Sequence, residues 1–436
     1  LIDLYKIVFF RIILTLALLA YAAKIFIIGK LSYRGGNKIF WLTAFLLSSF
    51  FASSFFSLNP GQSFWGNFFR QQGFYNFFHY LLFFVLLVLN IKEFKQIRRI
   101  IFAVILAASL AAVYGFIQYF NLDPISWSET AISTGRIFSS LGQPNFFGHY
   151  LILVLPFGFY ALIFMVQRFW AKFFIGLGVL LQLLCLVFTY SRAAWLGFFG
   201  SMAFLLLVWL VSKRWKKTAL GFLGLLLIGL IMVVGLNIVK PVGPSRLYDV
   251  NLINRLKSIV DFSGGSNKMR LYYLKAGLEA VKQESLFRLF VGYGPETLAS
   301  VFIKYYQPDW GVYEAINGYP DRAHNWLLDQ VLALGALGLM ANLAFYIYFI
   351  CKAAVFLSAR PRPGPDGWLL IFLFSSLAAY FINNLFSFSL VTVLVYLYLI
   401  LASGWFIVNC RTAEKEISVK LTVFSKLLIW LSLLAV

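Results

Sequence analysis

The sequence predicts an all-α protein, a polytopic integral membrane helical bundle of about twelve transmembrane helices with one large helical extracytoplasmic loop. Three observations carry that expectation. Hydrophobic residues fill 61% of the 436 positions and charged residues only 12%, more apolar surface than a water-soluble domain can hide. The apolar residues come in runs long enough to cross a bilayer. Basic residues collect in alternate connections between those runs.

The runs cover roughly residues 8–29, 39–58, 74–91, 100–121, 145–166, 169–189, 194–212, 218–239, 325–351, 368–386, 390–409 and a last one from 421. The first is too long for a cleavable signal peptide and lacks a small-residue cleavage site, so it is expected to remain as a span. The chain begins at Leu1 rather than Met and the last run stops at Val436, so both termini are read as open. The whole chain, 1–436, reads as a single membrane domain, with residues 240–323 as a large extracytoplasmic loop inserted in it. In that loop "NLINRLKSIVDF" (251–262) and "MRLYYLKAGLEAVKQESLFRLF" (269–290) have apolar residues at helical spacing with Lys and Arg between them. They are expected as amphipathic helices at the membrane–water interface. "GYGPETLASVFIKYY" (292–306) reads as a Gly-Pro turn that starts a further helix, with Pro295 near its first turn and Glu296 beside it.

The net charge of +21 invites a nucleic-acid partner, and its distribution argues against one. About half of the 37 basic residues lie in six short alternate loops. These hold Lys30, Arg34 and Lys38; Lys92, Lys95, Arg98 and Arg99; Arg168 and Lys172; Lys213, Arg214, Lys216 and Lys217; Lys352, Arg360 and Arg362; and Arg411, Lys415 and Lys420. Excess Lys and Arg of this kind marks the cytoplasmic side, which makes the bias topological. Cys185, Cys351 and Cys410 lie in or at the ends of runs, so neither a disulfide framework nor a cysteine metal site is expected. Metal, P-loop and nucleophile-elbow signatures are absent, and no cofactor is implied.

The opposite short loops carry one cation each: Arg70 in "SFWGNFFRQQGF", Arg136 in "STGRIFSSLGQPNFFGHYL" and Arg192 in "FTYSRAAWLGFF". An arginine near a span end can simply snorkel to headgroups. Three on one side also fit an anion site, because a guanidinium forks onto phosphate oxygens. Little chain separates the runs on either side of Arg192, which holds it on a tight turn at bilayer depth, where an unpaired charge is costly. Arg270 leads one of the amphipathic helices, where it could equally be a solvated cation.

"DRAHNWLLDQVLALGALG" (321–338) sets His324 at the start of an apolar run, two residues after Arg322 and next to Asn325. A helix N-terminus and a nearby cation both disfavour protonation, so the imidazole is expected neutral and able to accept a proton. A histidine bonding a loop carbonyl would look the same. Gly335 and Gly338 are expected on one helical face, allowing another helix to approach closely. His149 and His79 read as packed core histidines, although His149 could also be an extra polar contact.

Taken together, the His-Asn pair with Gly335 and Gly338, "SFWGNFFRQQGF", "GRIFSSLGQPNFFGHYLILVLP", "YSRAAWLG", the Arg270 helix and "GYGPETL" resemble the bacterial O-antigen ligase and polymerase superfamily. The resemblance extends over most of the chain; His149 departs from it, since a small residue is expected there. It implies transfer of a glycan from undecaprenyl diphosphate to a lipid or protein acceptor. The site would face outwards from the plasma membrane, and the reaction would be metal-independent and inverting. It also implies His324, Arg192 and Arg270 as catalytic residues, with Arg136 beside them; Arg136, Arg70, Arg322 and Asn325 are expected to bind substrate. Sugar rings are expected on Tyr293, Trp310 or Tyr313, which interfacial anchoring would explain equally well. A ligase, a repeat-unit polymerase and a protein oligosaccharyltransferase all fit. A solute transporter, such as an inorganic carbon carrier, fits less well: no internal repeat is evident, and mid-span polar residues are few (His79, Asn383, Asn384).

Overall fold

A backbone in hydrocarbon must satisfy its own hydrogen bonds, so the apolar runs become helices. The computed structural model describes residues 2–33, 36–68, 70–125, 127, 135–211, 265–313, 318–359, 363–410 and 417–420. In chain order these form α1 (Ile2–Ile28), β1 (Lys30–Tyr33), α2 (Lys38–Phe55), α3 (Pro60–Trp65), α4 (Phe74–Asn90) and α5 (Phe94–Tyr119). There follow α6 (Pro144–Tyr160), α7 (Phe169–Phe188), α8 (Arg192–Val211), α9 (Gly265–Gln283), α10 (Leu286–Val291) and α11 (Leu298–Phe302). The last elements are α12 (Trp326–Ser358), α13 (Pro365–Asn384), α14 (Val391–Asn409) and β2 (Ile417–Lys420). Among the described residues nine helices are long and apolar enough to cross a membrane, and α4 is a shorter apolar one. The protein is thus a polytopic helical membrane protein. The predicted runs 218–239 and from 421, and the predicted helix 251–262, lie outside the described residues.

The spans divide by burial. The apolar window of Pro144–Met165 is 78% buried and that of α14 72%, against 22% for α1. So α6, α13 and α14 form the centre, and α1, α5 and α7 show most of their side chains outwards. The centre is tight because small residues let helices touch: a Cβ on Gly197 of α8 would stand 2.9 Å from the Ala379 carbonyl of α13.

Two features depart from the expected regular bundle. First, α12 is broken at Gly335, whose φ of 67° and ψ of −173° no helix contains. Gly335 and Gly338 therefore do not line one helical face for a neighbour, as the sequence pattern predicts. A Cβ on Gly335 would stand 2.3 Å from the Phe290 carbonyl, so only glycine fits this backbone and this approach. The break frees carbonyls, and other segments bond them. Tyr293 N–H donates to Leu332 O (2.8 Å), Gly294 N–H to Ala333 O (2.9 Å), and Ser53 Oγ to Ala333 O (2.6 Å). Second, β1 and β2 pair antiparallel, Lys30 opposite Lys420 and Tyr33 opposite Ile417. This short ribbon joins the segments leaving α1 and α14 at the end of the bundle away from His324. Its sequences, KLSY and ISVK, alternate as a strand does.

The described part of the loop folds onto the His324 end. The predicted 269–290 helix is two: Ser285 caps α10 by accepting from Arg288 N–H (3.3 Å), which ends α9 at Gln283. The helix expected at Pro295 begins later, at Leu298, leaving Pro295 and Glu296 in a turn. Met269, Tyr273, Ala276, Phe302 and Trp310 form a second core against Leu328 and Leu332 of α12. Tyr293 is 4% exposed and Trp310 1%, which rules out these two as sugar platforms and makes them loop core. Tyr313 is half-buried and stands 6.3 Å from Tyr272, ring to ring.

Candidate active site

Four segments converge on His324. The first is the residue's own. Asn325 is the N-cap of α12: its Oδ1 accepts from Leu328 N–H (3.1 Å), and its Nδ2 donates to Leu385 O (3.2 Å). Asp329, one turn on, accepts from Ala323 N–H (2.6 Å). Between these anchors His324 takes a left-handed φ of 55°, a conformation that costs a non-glycine residue energy and is held by its surroundings. The histidine therefore precedes the cap and is not part of the helix.

The turn 292–297 is the second segment. Glu296, 6% exposed, is ion-paired with Arg322, accepts from Asn67 N–H (3.3 Å), and has a left-handed φ of 64°. Arg322 is thereby committed within the protein. Burial by itself would lower its pKa, but Glu296, Asp329 and Asp321 outweigh burial and raise it. The third segment is α9, which carries Arg270 and, one turn later, Tyr273. The Tyr273 ring lies nearly parallel to the imidazole at 5.9 Å and is braced edge-on by Trp310 at 5.3 Å.

The fourth is the connection from α13 to α14. Its Phe388 meets the imidazole edge-on at 5.3 Å and has the Arg70 guanidinium over its ring at 4.7 Å. Arg70 also pairs with Asp321, side chains 27% and 40% exposed. Tyr273 and Phe388, with Glu296 and Asp321 as charge partners, were not singled out from sequence. Glu296 carried a faint signal, being one of 16 acids in the chain and set in a Gly-Pro turn. Phe388 carried none, because 48 other phenylalanines surround it in the text.

The remaining cations gather beside this core. Three residues separate α7 from Arg192, which opens α8, so the predicted tight turn is present. Arg136 holds that turn: its Nε donates to Thr189 O (2.7 Å) and its Nη2 to Asn145 Oδ1 (3.0 Å). Burial first, and then the Arg192 charge, lower Arg270 to about 10. Arg270 makes no ion pair among the described residues. It acts in turn on His324: burial first, then Arg270, hold the imidazole at about 4, with Arg70 and Arg322 acting alike and Asp321 opposing. The neutrality expected from sequence thus rests on burial and Arg270 more than on Arg322. Like charges crowded in a half-buried corner depress one another's pKa, a common feature of functional sites.

Residues 177–343 match the family model described as O-antigen ligase. That segment is similar to the O-antigen ligase family. It contains Arg192, Arg270, Arg322, His324 and Asn325, whereas Arg70 and Arg136 precede it. No curated protein matches the chain. The matched segment thus brings its arginines and its histidine together from three separate stretches of sequence. The connections on either side of it supply Arg136, Arg70 and Phe388.

Proposed function

We propose that the protein transfers an oligosaccharide or polysaccharide from undecaprenyl diphosphate to a lipid or protein acceptor at the extracytoplasmic face of the plasma membrane. The reaction is glycosyl transfer with inversion, independent of metal, in the assembly of cell-envelope polysaccharide such as lipopolysaccharide. The observation that carries this reading is the proximity of the Arg270 charge both to Arg192, which lowers the Arg270 pKa, and to His324, whose imidazole it helps keep neutral. Neighbouring cations are stable when a multiply charged anion lies between them.

The donor diphosphate sits at Arg192 and Arg270, with Arg136 fixing the turn that carries Arg192 and Arg70 flanking the entry. His324 takes the proton of an acceptor hydroxyl. The oxygen attacks the anomeric carbon from the face opposite the leaving group; the carbon–oxygen bond to phosphate breaks, and its electron pair leaves on undecaprenyl diphosphate. The arginines stabilise that developing charge. An imidazole at about 4 is a weak base in the empty site. Donor binding cancels the cations that hold it down, so proton acceptance is coupled to donor occupancy. Arg322 and Asn325 act by holding His324 in place.

The test uses full-length protein in liposomes with an undecaprenyl-diphosphate oligosaccharide, without and with candidate acceptors. Acceptor-dependent donor consumption, lost in His324→Ala, is the expected result. A ladder from donor alone would make the enzyme a polymerase. No consumption with any acceptor would overturn the reading.

A further inference from the structure

The backbone of His324 is pinned from both sides: Ala323 N–H donates to Asp329 (2.6 Å) and the Asn325 side chain to Leu385 O (3.2 Å). The imidazole is a separate problem, because two side-chain torsions still lie between that backbone and the ring. A histidine that moves a proton commonly has its ring plane fixed by a carboxylate or carbonyl on its second nitrogen. Here the described contacts of the imidazole are with other rings. Tyr273 lies nearly parallel to it, at 18° and 5.9 Å, and Phe388 meets it at 62° and 5.3 Å. The parallel wall opposes turning of the ring out of its plane, and the steep one opposes its displacement within that plane.

Both walls are themselves braced. Tyr273 is 2% exposed and packs against Trp310 at 5.3 Å and Phe302 at 6.4 Å, both also buried. Phe388 meets Phe146, on the first turn of α6, at 5.4 Å and 66°, and carries the Arg70 guanidinium over its ring. The walls also stand in register with the cations. Arg270 lies three residues before Tyr273, about one turn along α9, so one rigid element carries an arginine and a wall of the imidazole.

We propose that Tyr273 and Phe388 are positioning residues, which set the plane of the His324 imidazole so that the nitrogen taking the proton faces the acceptor hydroxyl. The role rests on His324 being the base of the proposed glycosyl transfer. Aim of this kind acts on the chemical step and not on donor binding, so its loss lowers kcat and leaves the donor KM in place.

The test compares Tyr273→Leu, which removes the parallel wall, with Tyr273→Phe, which keeps it, in full-length protein in liposomes. Tyr273→Leu should lower kcat about 10- to 100-fold, the scale of a misaimed catalytic group, with the donor KM unchanged, and Tyr273→Phe should recover most of it. Thermal unfolding reports whether Tyr273→Leu folds. If it does not, Phe388→Leu, at a half-buried position, takes its place with the same expected split. A second readout needs no turnover. The chain has three histidines, so with ring-labelled histidine the NMR signal of His324 is the one missing from His324→Ala. Its ring order parameter should fall in the folded Leu variant and not in Tyr273→Phe. Unchanged ring order in the folded Leu variant, or a kcat in Tyr273→Phe as low as in Tyr273→Leu, would overturn the assignment. Donor left unconsumed by the wild type would instead overturn the glycosyl-transfer reading, and ring order alone would then decide whether the two walls hold the imidazole.

Discussion

Two arginines beside His324 have opposite surroundings. Arg322 is buried against the Glu296 carboxylate, and acids raise its pKa. Arg270 is half-buried, but its strongest charged influence is another arginine, Arg192, and its pKa falls to about 10. The protein has satisfied one cation and left the other short of an anion. The first ties the 292–297 turn to the His324 segment and is architecture. The second, under the proposed function, is where the donor diphosphate binds.

The same substitution should therefore have opposite consequences at the two positions. Arg322→Met leaves Glu296 buried without its partner and should cost about 3–5 kcal/mol of stability, with activity falling as the fold does. Arg270→Met removes a half-buried cation from beside another and should leave thermal unfolding unchanged or slightly raised. Its cost appears in turnover, down about 10²- to 10³-fold, as when one charge-stabilising group is lost. Equal losses of stability in both would break the comparison.

How much of this was legible beforehand differs between the two arginines for a physical reason. Span positions follow from local hydrophobicity, which is why α6, α8, α13 and α14 fall where the apolar runs do. Arg192 and His324 are visible because a charge or an imidazole beside an apolar run is rare. The partner of Arg322 is not visible, since Glu296 lies 26 residues away and pairs only through the tertiary fold. The break at Gly335 is hidden for the same reason. A glycine in an apolar run reads as close packing, and only the Phe290 carbonyl against it reveals a left-handed residue. The β1–β2 ribbon joins segments nearly four hundred positions apart, beyond any local pattern.

The comparison sharpens further through His324. In the empty site the imidazole is held at about 4, so the acid limb of kcat/KM, which reports free enzyme, should lie near there. With the diphosphate bound, negative charge favours imidazolium, and the acid limb of kcat should move up by on the order of 1 unit. Arg270→Met should raise the kcat/KM limb, because it removes a cation from the free site. Coincident limbs in both profiles would sink the coupling between donor and base.

Asn325 lies between the two kinds of residue and gives the smallest effect. Its Oδ1 caps α12 and its Nδ2 reaches Leu385 O, so protein groups satisfy both ends, as they do for Arg322. Asn325→Ala should cost about 1 kcal/mol, the usual loss of a cap, read in thermal unfolding. Asn325→Ser restores the cap oxygen but not the amide. If the residue serves only to hold His324, Ser should recover both stability and turnover. Recovered stability with turnover still as low as in Ala would mean that the amide meets substrate, and would move Asn325 from the side of Arg322 to that of Arg270.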